Sequence, residues 1–113
     1  MRLQAFWRCF GVLAAALTCS EASAGPAVST RWAYARQTQE QCLRRAEQTL
    51  ERIGYDRLER TEQSRYGTRG DYTVAIRCIT EQGIAVLIAS GPARGEADRR
   101  GGELLQHFGT GQK

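Results

Sequence analysis

The stretch from Asp71 to Pro92, DYTVAIRCITEQGIAVLIASGP, holds two apolar, β-branched runs parted by a short polar turn that ends in Gly83. Strand side chains alternate with period two, so Tyr72, Val74, Ile76 and Cys78 share one face of the first run, and Thr73, Ala75, Arg77 and Ile79 the other. In the second run Ile84, Val86 and Ile88 share a face. A three-residue loop, Glu81-Gln82-Gly83, with glycine at the positive-φ position pairs Cys78 with Val86 and Ile76 with Ile88, which joins the most apolar sets. A two-residue loop at Gln82-Gly83 would set Cys78 against Leu87 instead, since one residue of slip exchanges the faces.

Upstream of this hairpin lies the clearest helix. Thr38-Gln39-Glu40-Gln41 matches a capping box, in which the threonine hydroxyl accepts from an early amide and the glutamine reaches back. Cys42, Leu43, Ala46, Leu50 and Ile53 then recur at helical spacing, and Gly54 ends the run as a left-handed cap. Before it, Thr30 to Gln37 alternates as a first strand, with Trp32, Tyr34 and Arg36 on one side and Arg31, Ala33 and Ala35 on the other. Gly25 to Ser29 reads as a short leader. Between helix and hairpin, Tyr55 to Ser64 is charged enough for an edge strand, and Arg65 to Gly70, with two glycines, reads as a turn. After Gly91-Pro92, the residues Ala97, Leu104, Leu105 and Phe108 form a second helical stripe. Gly101-Gly102 interrupts it, so this helix either starts late, near Gly102, or is held by packing.

The first 24 residues stand apart from the fold. Arg2 and Arg8 precede the apolar run Phe10 to Leu17, and Ala22-Ser23-Ala24 is a small-x-small site before Gly25, the pattern of a signal peptide cleaved after Ala24. The run is too short to cross a bilayer, which sets a retained anchor aside. A lipoprotein site at Cys19 is disfavoured by Thr18 before it. Residues 25–113 are therefore expected to form one domain, with an ordered core over 29–110. Of the four cysteines, Cys42 and Cys78 remain, and a pair in a small exported domain reads as a disulfide. Cys42 lies on the helix's apolar stripe and Cys78 on the apolar strand face, so the bond would bolt helix to sheet. The order strand, helix, three strands, helix gives an α+β fold: a mainly antiparallel sheet of about four strands, both helices on one face and the other face open.

No catalytic constellation emerges. One histidine, His107, and two cysteines better used in a disulfide leave no zinc set, and no triad. The acid pairs Glu47/Glu51 and Glu59/Glu62 stand beside arginines, which gives no reason for a raised pKa. Ser90 to Gly95 could offer amides to an anion but matches no phosphate-loop pattern. Without Cys-x-x-Cys a redox role has no support. The full chain carries a net charge of +4, with arginine supplying every basic residue but Lys113. Arginine either replaces lysine on solvated faces or recognises carboxylates and phosphates at an anionic surface. There is no nucleic-acid-binding module signature. The aromatic pair Trp32 and Tyr34 either covers core or, on an open face, makes a binding surface together with Arg36 and Arg77.

Cys42, Ala46, Ile53-Gly54-Tyr55, the run GDYTVAIRC from Gly70 to Cys78, and ASGP from Ala89 to Pro92 together make the chain resemble small exported bacterial proteins of unassigned function. The resemblance implies a shared architecture and carries over no catalytic residue. The expectation is thus a non-enzymatic exported binding or accessory domain of the bacterial envelope, periplasmic or secreted. It would need no cofactor and no metal, bind no nucleic acid, keep no membrane span, and have a protein or small anionic ligand as partner. The alternative is a small enzyme or enzyme inhibitor working with a partner chain. A concave pocket with Arg31, Arg36 or Arg77 beside Trp32 and Tyr34 would indicate a small ligand; a flat apolar patch would indicate a protein partner or a dimer.

Overall fold

The computed structural model describes residues 25–110, so the leader with Cys9 and Cys19 and the signal-peptide cleavage site before Gly25 lie outside the described residues. The elements follow as β1 (Ala27–Tyr34), α1 (Gln39–Arg52), β2 (Asp56–Arg60), β3 (Ser64–Arg69), β4 (Tyr72–Ile79), a 3-10 turn (Thr80–Gln82), β5 (Ile84–Gly91) and α2 (Arg94–Thr110). The strands form one antiparallel sheet in the order β1-β5-β4-β3-β2, and both helices pack on one face. This is the expected α+β layout with five strands rather than about four. α2 lies over β1 and β5, and α1 over β4 and β3.

The additional strand is β3, in the segment read as a turn. Its inward positions are Arg65, Gly67 and Arg69, opposite Ile76, Val74 and Tyr72, so no apolar alternation announces it. Glycine is needed at the middle one, because a Cβ on Gly67 would stand 2.8 Å from that of Tyr55 and 3.2 Å from a methyl of Leu58. The arginines find partners above the sheet. Arg65 approaches Glu47 at 3.6 Å and Arg69 donates to the Ile53 carbonyl at 2.9 Å. The actual turn into β4 is Gly70-Asp71, with Gly70 at φ 61°. At the other end, β1 begins at Ala27, inside the expected leader, and pairs with β5 over eight consecutive residues.

The central hairpin also departs from both expected registers. Ile79 pairs with Ile84, Cys78 with Ala85, Ile76 with Leu87 and Ala75 with Ile88. Four residues connect the strands, a single 3-10 turn closed by Gly83 at φ 71°, where the sequence had suggested two or three. Ala85, Leu87 and Ala89 therefore face the helices and are buried, while Ile84, Val86 and Ile88 lie on the open face, half-buried. The alternative would press three β-branched side chains into the gap under the helices. Alanines at 33, 46, 85 and 89 instead let the layers approach, and Phe108, Leu50, Ile76, Leu87 and Leu104 fill the space between them.

The helices form as their signals require. Thr38 Oγ1 accepts from the Gln41 amide at 3.2 Å, and the Gln41 side chain accepts from the Thr38 amide at 3.1 Å. Gly54, at φ 89°, ends α1. Cys42 and Cys78 form the disulfide, with Cα atoms 6.1 Å apart. Gln39 locks the same corner: its amide donates to the Cys78 carbonyl at 3.0 Å and its oxygen accepts from the Thr80 hydroxyl at 2.7 Å. α2 is continuous through Gly101-Gly102, because Gly101 is a point of close approach where a Cβ would come 2.7 Å from Ser29 Oγ. Gly101→Ala is thus expected to cost about 1 kcal/mol despite alanine's better helix propensity, because the added methyl must displace the buried Ser29 hydroxyl and press on its Cβ, 3.4 Å away. Urea denaturation measures it, and a stabilised variant would show that α2 can lift away from β1 freely.

Candidate functional site

The face of the sheet that no helix among the described residues covers can be assembled row by row from the strand registers. Tyr34, Ile84 and Ile79 form one row across β1, β5 and β4; Trp32, Val86 and Arg77 the next; Thr30, Ile88, Ala75 and Tyr66 a third, reaching β3; and Val28, Ser90, Thr73 and Thr68 the last. The corner made by β1 and β5 is apolar. The face becomes polar toward β3 and β2, where Asp56 pairs with Thr68 and Glu59 with Tyr66. Trp32 is 56% exposed and Tyr34 51%, against the usual sheltering of such rings, and Val28 beside them is exposed as well.

The two rings meet edge to face, with centroids 5.1 Å apart and planes at 86°. They offer an edge and a face, not a coplanar platform. Arg36, just beyond β1, places its guanidinium 5.0 Å from the Tyr34 ring centre, a cation–π contact at the rim. Arg77 is exposed two strands from Trp32 in the same row and donates to the Gln63 side chain. The surface is therefore an aromatic and aliphatic strip with two guanidinium groups at its margin. All four residues expected to form a binding surface lie on it, and its aliphatic floor, Ile84, Val86 and Ile88, is an addition. The alternation of those three was visible in the sequence, but not which way they faced. Arg31 is on the opposite face, where it donates to the Asp98 carbonyl at 3.2 Å.

The remaining polar groups serve the scaffold. Arg45 stacks on the Phe108 ring, 3.9 Å from its centre, and donates to the Phe108 carbonyl, capping the end of α2; burial lowers its pKa. Arg100 stands 4.3 Å over Tyr72 and donates to the Tyr55 hydroxyl at 3.2 Å. The Tyr72 hydroxyl accepts from the Ala93 amide at 3.1 Å, and its ring fills the space a side chain at Gly91 would need. An open polar groove runs between α1 and the end of α2, lined by Gln37, Arg44, Arg45, Arg52 and His107. Glu47 is turned toward Arg60 and Arg65, not toward Glu51. Among the described residues, no three His, Cys, Asp or Glu side chains gather as a metal site would require, and no helix is long and apolar enough to cross a membrane.

Two carboxylates tie stability to pH. The hydrogen bond from Arg99 holds Glu96 down at about 2, and the hydrogen bond from Arg60 lowers Glu47. A carboxyl whose folded pKa lies below its unfolded value, about 4.3, contributes stability that is complete above that value and is lost as pH falls through the folded pKa. The domain is therefore expected to weaken steadily from about pH 4.5 toward 2, and Glu96→Gln to flatten that slope by lowering stability above about pH 4.5 while changing little near pH 2, the loss being reduced by solvent screening of an exposed pair. Thermal midpoints across this range check it; an unchanged slope would show that solvent screening cancels the pair. Neither a protein-family model nor a curated protein matches the chain.

Proposed function

We propose that the chain is a non-enzymatic binding domain exported to the bacterial envelope, and that it engages its partner through the open face of the sheet. One observation carries the reading: Trp32 and Tyr34, large apolar side chains that folding would be expected to shelter, stand more than half exposed over a floor of Ile84, Val86 and Ile88. Keeping such a strip in water favours its burial against another molecule, by about 25 cal/mol for each Å² covered. The strip lies on an open sheet face, which suits a protein surface or an extended amphiphile better than an enclosed small molecule. Arg36 and Arg77 at its margin would favour partners that carry carboxylate or phosphate near an apolar segment. A disulfide in so small a domain suits an oxidising compartment.

The strip can be probed directly, because Trp32 is the only tryptophan beyond residue 24. The native, oxidised domain is expected to bind anilinonaphthalene sulfonate, an anionic aromatic dye, with energy transfer from Trp32. Val86→Glu, which sets a carboxylate in the strip opposite Arg77, should weaken dye binding at least ~10-fold without unfolding the domain. A native domain that ignores the dye, or a variant that binds it equally well, would remove the open face from consideration. Export has a separate test. The mass of the protein recovered from periplasm is expected to match a chain beginning at Gly25, and a chain kept in the cytoplasm with free thiols would defeat the reading.

A further inference from the structure

We infer that β1 is a dimerisation edge, at which a second copy of this chain adds its own β1 antiparallel to form one continuous ten-stranded sheet, two copies of the five strands described. The two outer strands of the sheet are treated very differently. β2 is five residues long, bulged between Asp56 and Glu59 and dominated by charge, the usual means by which an edge is kept from pairing. β1 is eight residues long, pairs with β5 in unbroken register and carries one charged residue, Arg31, whose side chain is drawn over the helix face. From Thr30 to Tyr34 nothing in it discourages another strand; only at Val28 is the outward carbonyl taken, by Arg94.

The direction of its free groups follows from the ladder. Ala35 donates its amide to the Gly83 carbonyl at 2.8 Å, so odd-numbered residues of β1 bond to β5 and even-numbered ones turn their amides and carbonyls outward. The contact from Arg94 to the Val28 carbonyl, 2.6 Å, agrees with this. Thr30, Trp32 and Tyr34 then present outward donors and acceptors. A two-fold axis must pair even residues with even. Centring it at residue 31 would place Arg31 against Arg31 of the partner subunit, an opposition of like charges. Centring it at residue 32 avoids this: Trp32 pairs with Trp32 of the partner subunit, and Thr30 with Tyr34 of the partner subunit. The apolar strips of the two open faces become one.

The helix layer fits the same axis. Strands pair about 4.8 Å apart, and α2 lies over β1 and β5, so the two α2 helices would come within about 10 Å of each other. Such spacing needs small residues between them. Gly101 lies against Ser29 and Arg31, and Asp98 takes the Arg31 contact. Gly102, Leu105 and Gly109 follow at helical spacing along the flank that overhangs β1. Neither Gly102 nor Gly109 has a positive φ, and a Cβ on either would meet nothing within 4 Å, so the isolated fold has no use for them. Eight strand residues and 17 helix residues each span about 26 Å. A flank of that length, one strand and one helix tall, would bury on the order of 600 Å² per copy, near the ~1,200 Å² total at the lower end of specific interfaces.

Sedimentation equilibrium of the oxidised chain from Gly25, which carries the whole core, tests the pairing. The expected result is a dimer at micromolar concentration. Thr30→Pro removes an outward amide and no β1–β5 bond, and Gly102→Glu places a charge on the helix flank where the monomer has room; each should raise the dissociation constant at least ~30-fold while circular dichroism stays native. Amide exchange gives a second readout, with Thr30, Trp32 and Tyr34 protected only where the protein is dimeric. A wild type still monomeric at ~100 μM overturns the inference. So does a dimer that survives both substitutions, including one that yields only to Val86→Glu and so forms through the open face.

Discussion

Replacing Cys42 and Cys78 together by alanine is expected to lower the stability of the domain by about 4–5 kcal/mol. The bond closes a loop with a sequence separation of 36 residues. In the chain-entropy model, freeing a loop of that size costs about 4 kcal/mol through the unfolded state. Both sulfurs are buried, Cys42 completely, so truncation adds a small cavity worth about 1 kcal/mol more. A domain this small has net stability of only ~5–15 kcal/mol, so the variant should be partly unfolded at 37 °C. Urea unfolding of the oxidised protein, the reduced protein and the double variant measures this. A loss below about 1 kcal/mol would mean that α1 holds to β4 without its covalent tie.

The second large effect distinguishes two neighbouring residues. Leu87→Ala should cost about 3 kcal/mol, because Leu87 is completely buried between Arg31 and Ile76 beneath the helices. Ile88→Ala should cost no more than about 1 kcal/mol, since Ile88 is half-buried on the open face and water can reach the space its side chain leaves. The expected register, with Ile76 opposite Ile88, gives the reverse order. Paired denaturation curves therefore read the strand register directly, and equal losses would contradict the observed hairpin.

These two predictions mark where local information ended. The α1 helix was legible because its signals are contained in a few neighbouring residues: a capping box at Thr38 and Gln41, an apolar stripe, and Gly54. The disulfide was legible because helix stripe and strand face each placed a cysteine inward. β3 was not, since its inward side chains are arginine and glycine, and their reasons for being there, Glu47, the Ile53 carbonyl and the Tyr55 ring, come from distant parts of the chain. The four aromatic and arginine residues of the candidate surface could be picked out by type, while their exposure could not.

By itself the sequence determined the α+β class, the two helices, the pairing of Cys42 with Cys78 and the alternation of β1 and β4. Tertiary structure decided which way β5 faces. Every residue from Ile84 to Ala89 is apolar, so either phase of the strand could supply a core, and only the depth available under α1 and α2 selects alanine and leucine for the inside. That choice leaves Ile84, Val86 and Ile88 outside beside Trp32 and Tyr34. The same packing of a helix over a strand leaves β1 as an unblunted edge, a property of strand order that no local pattern encodes.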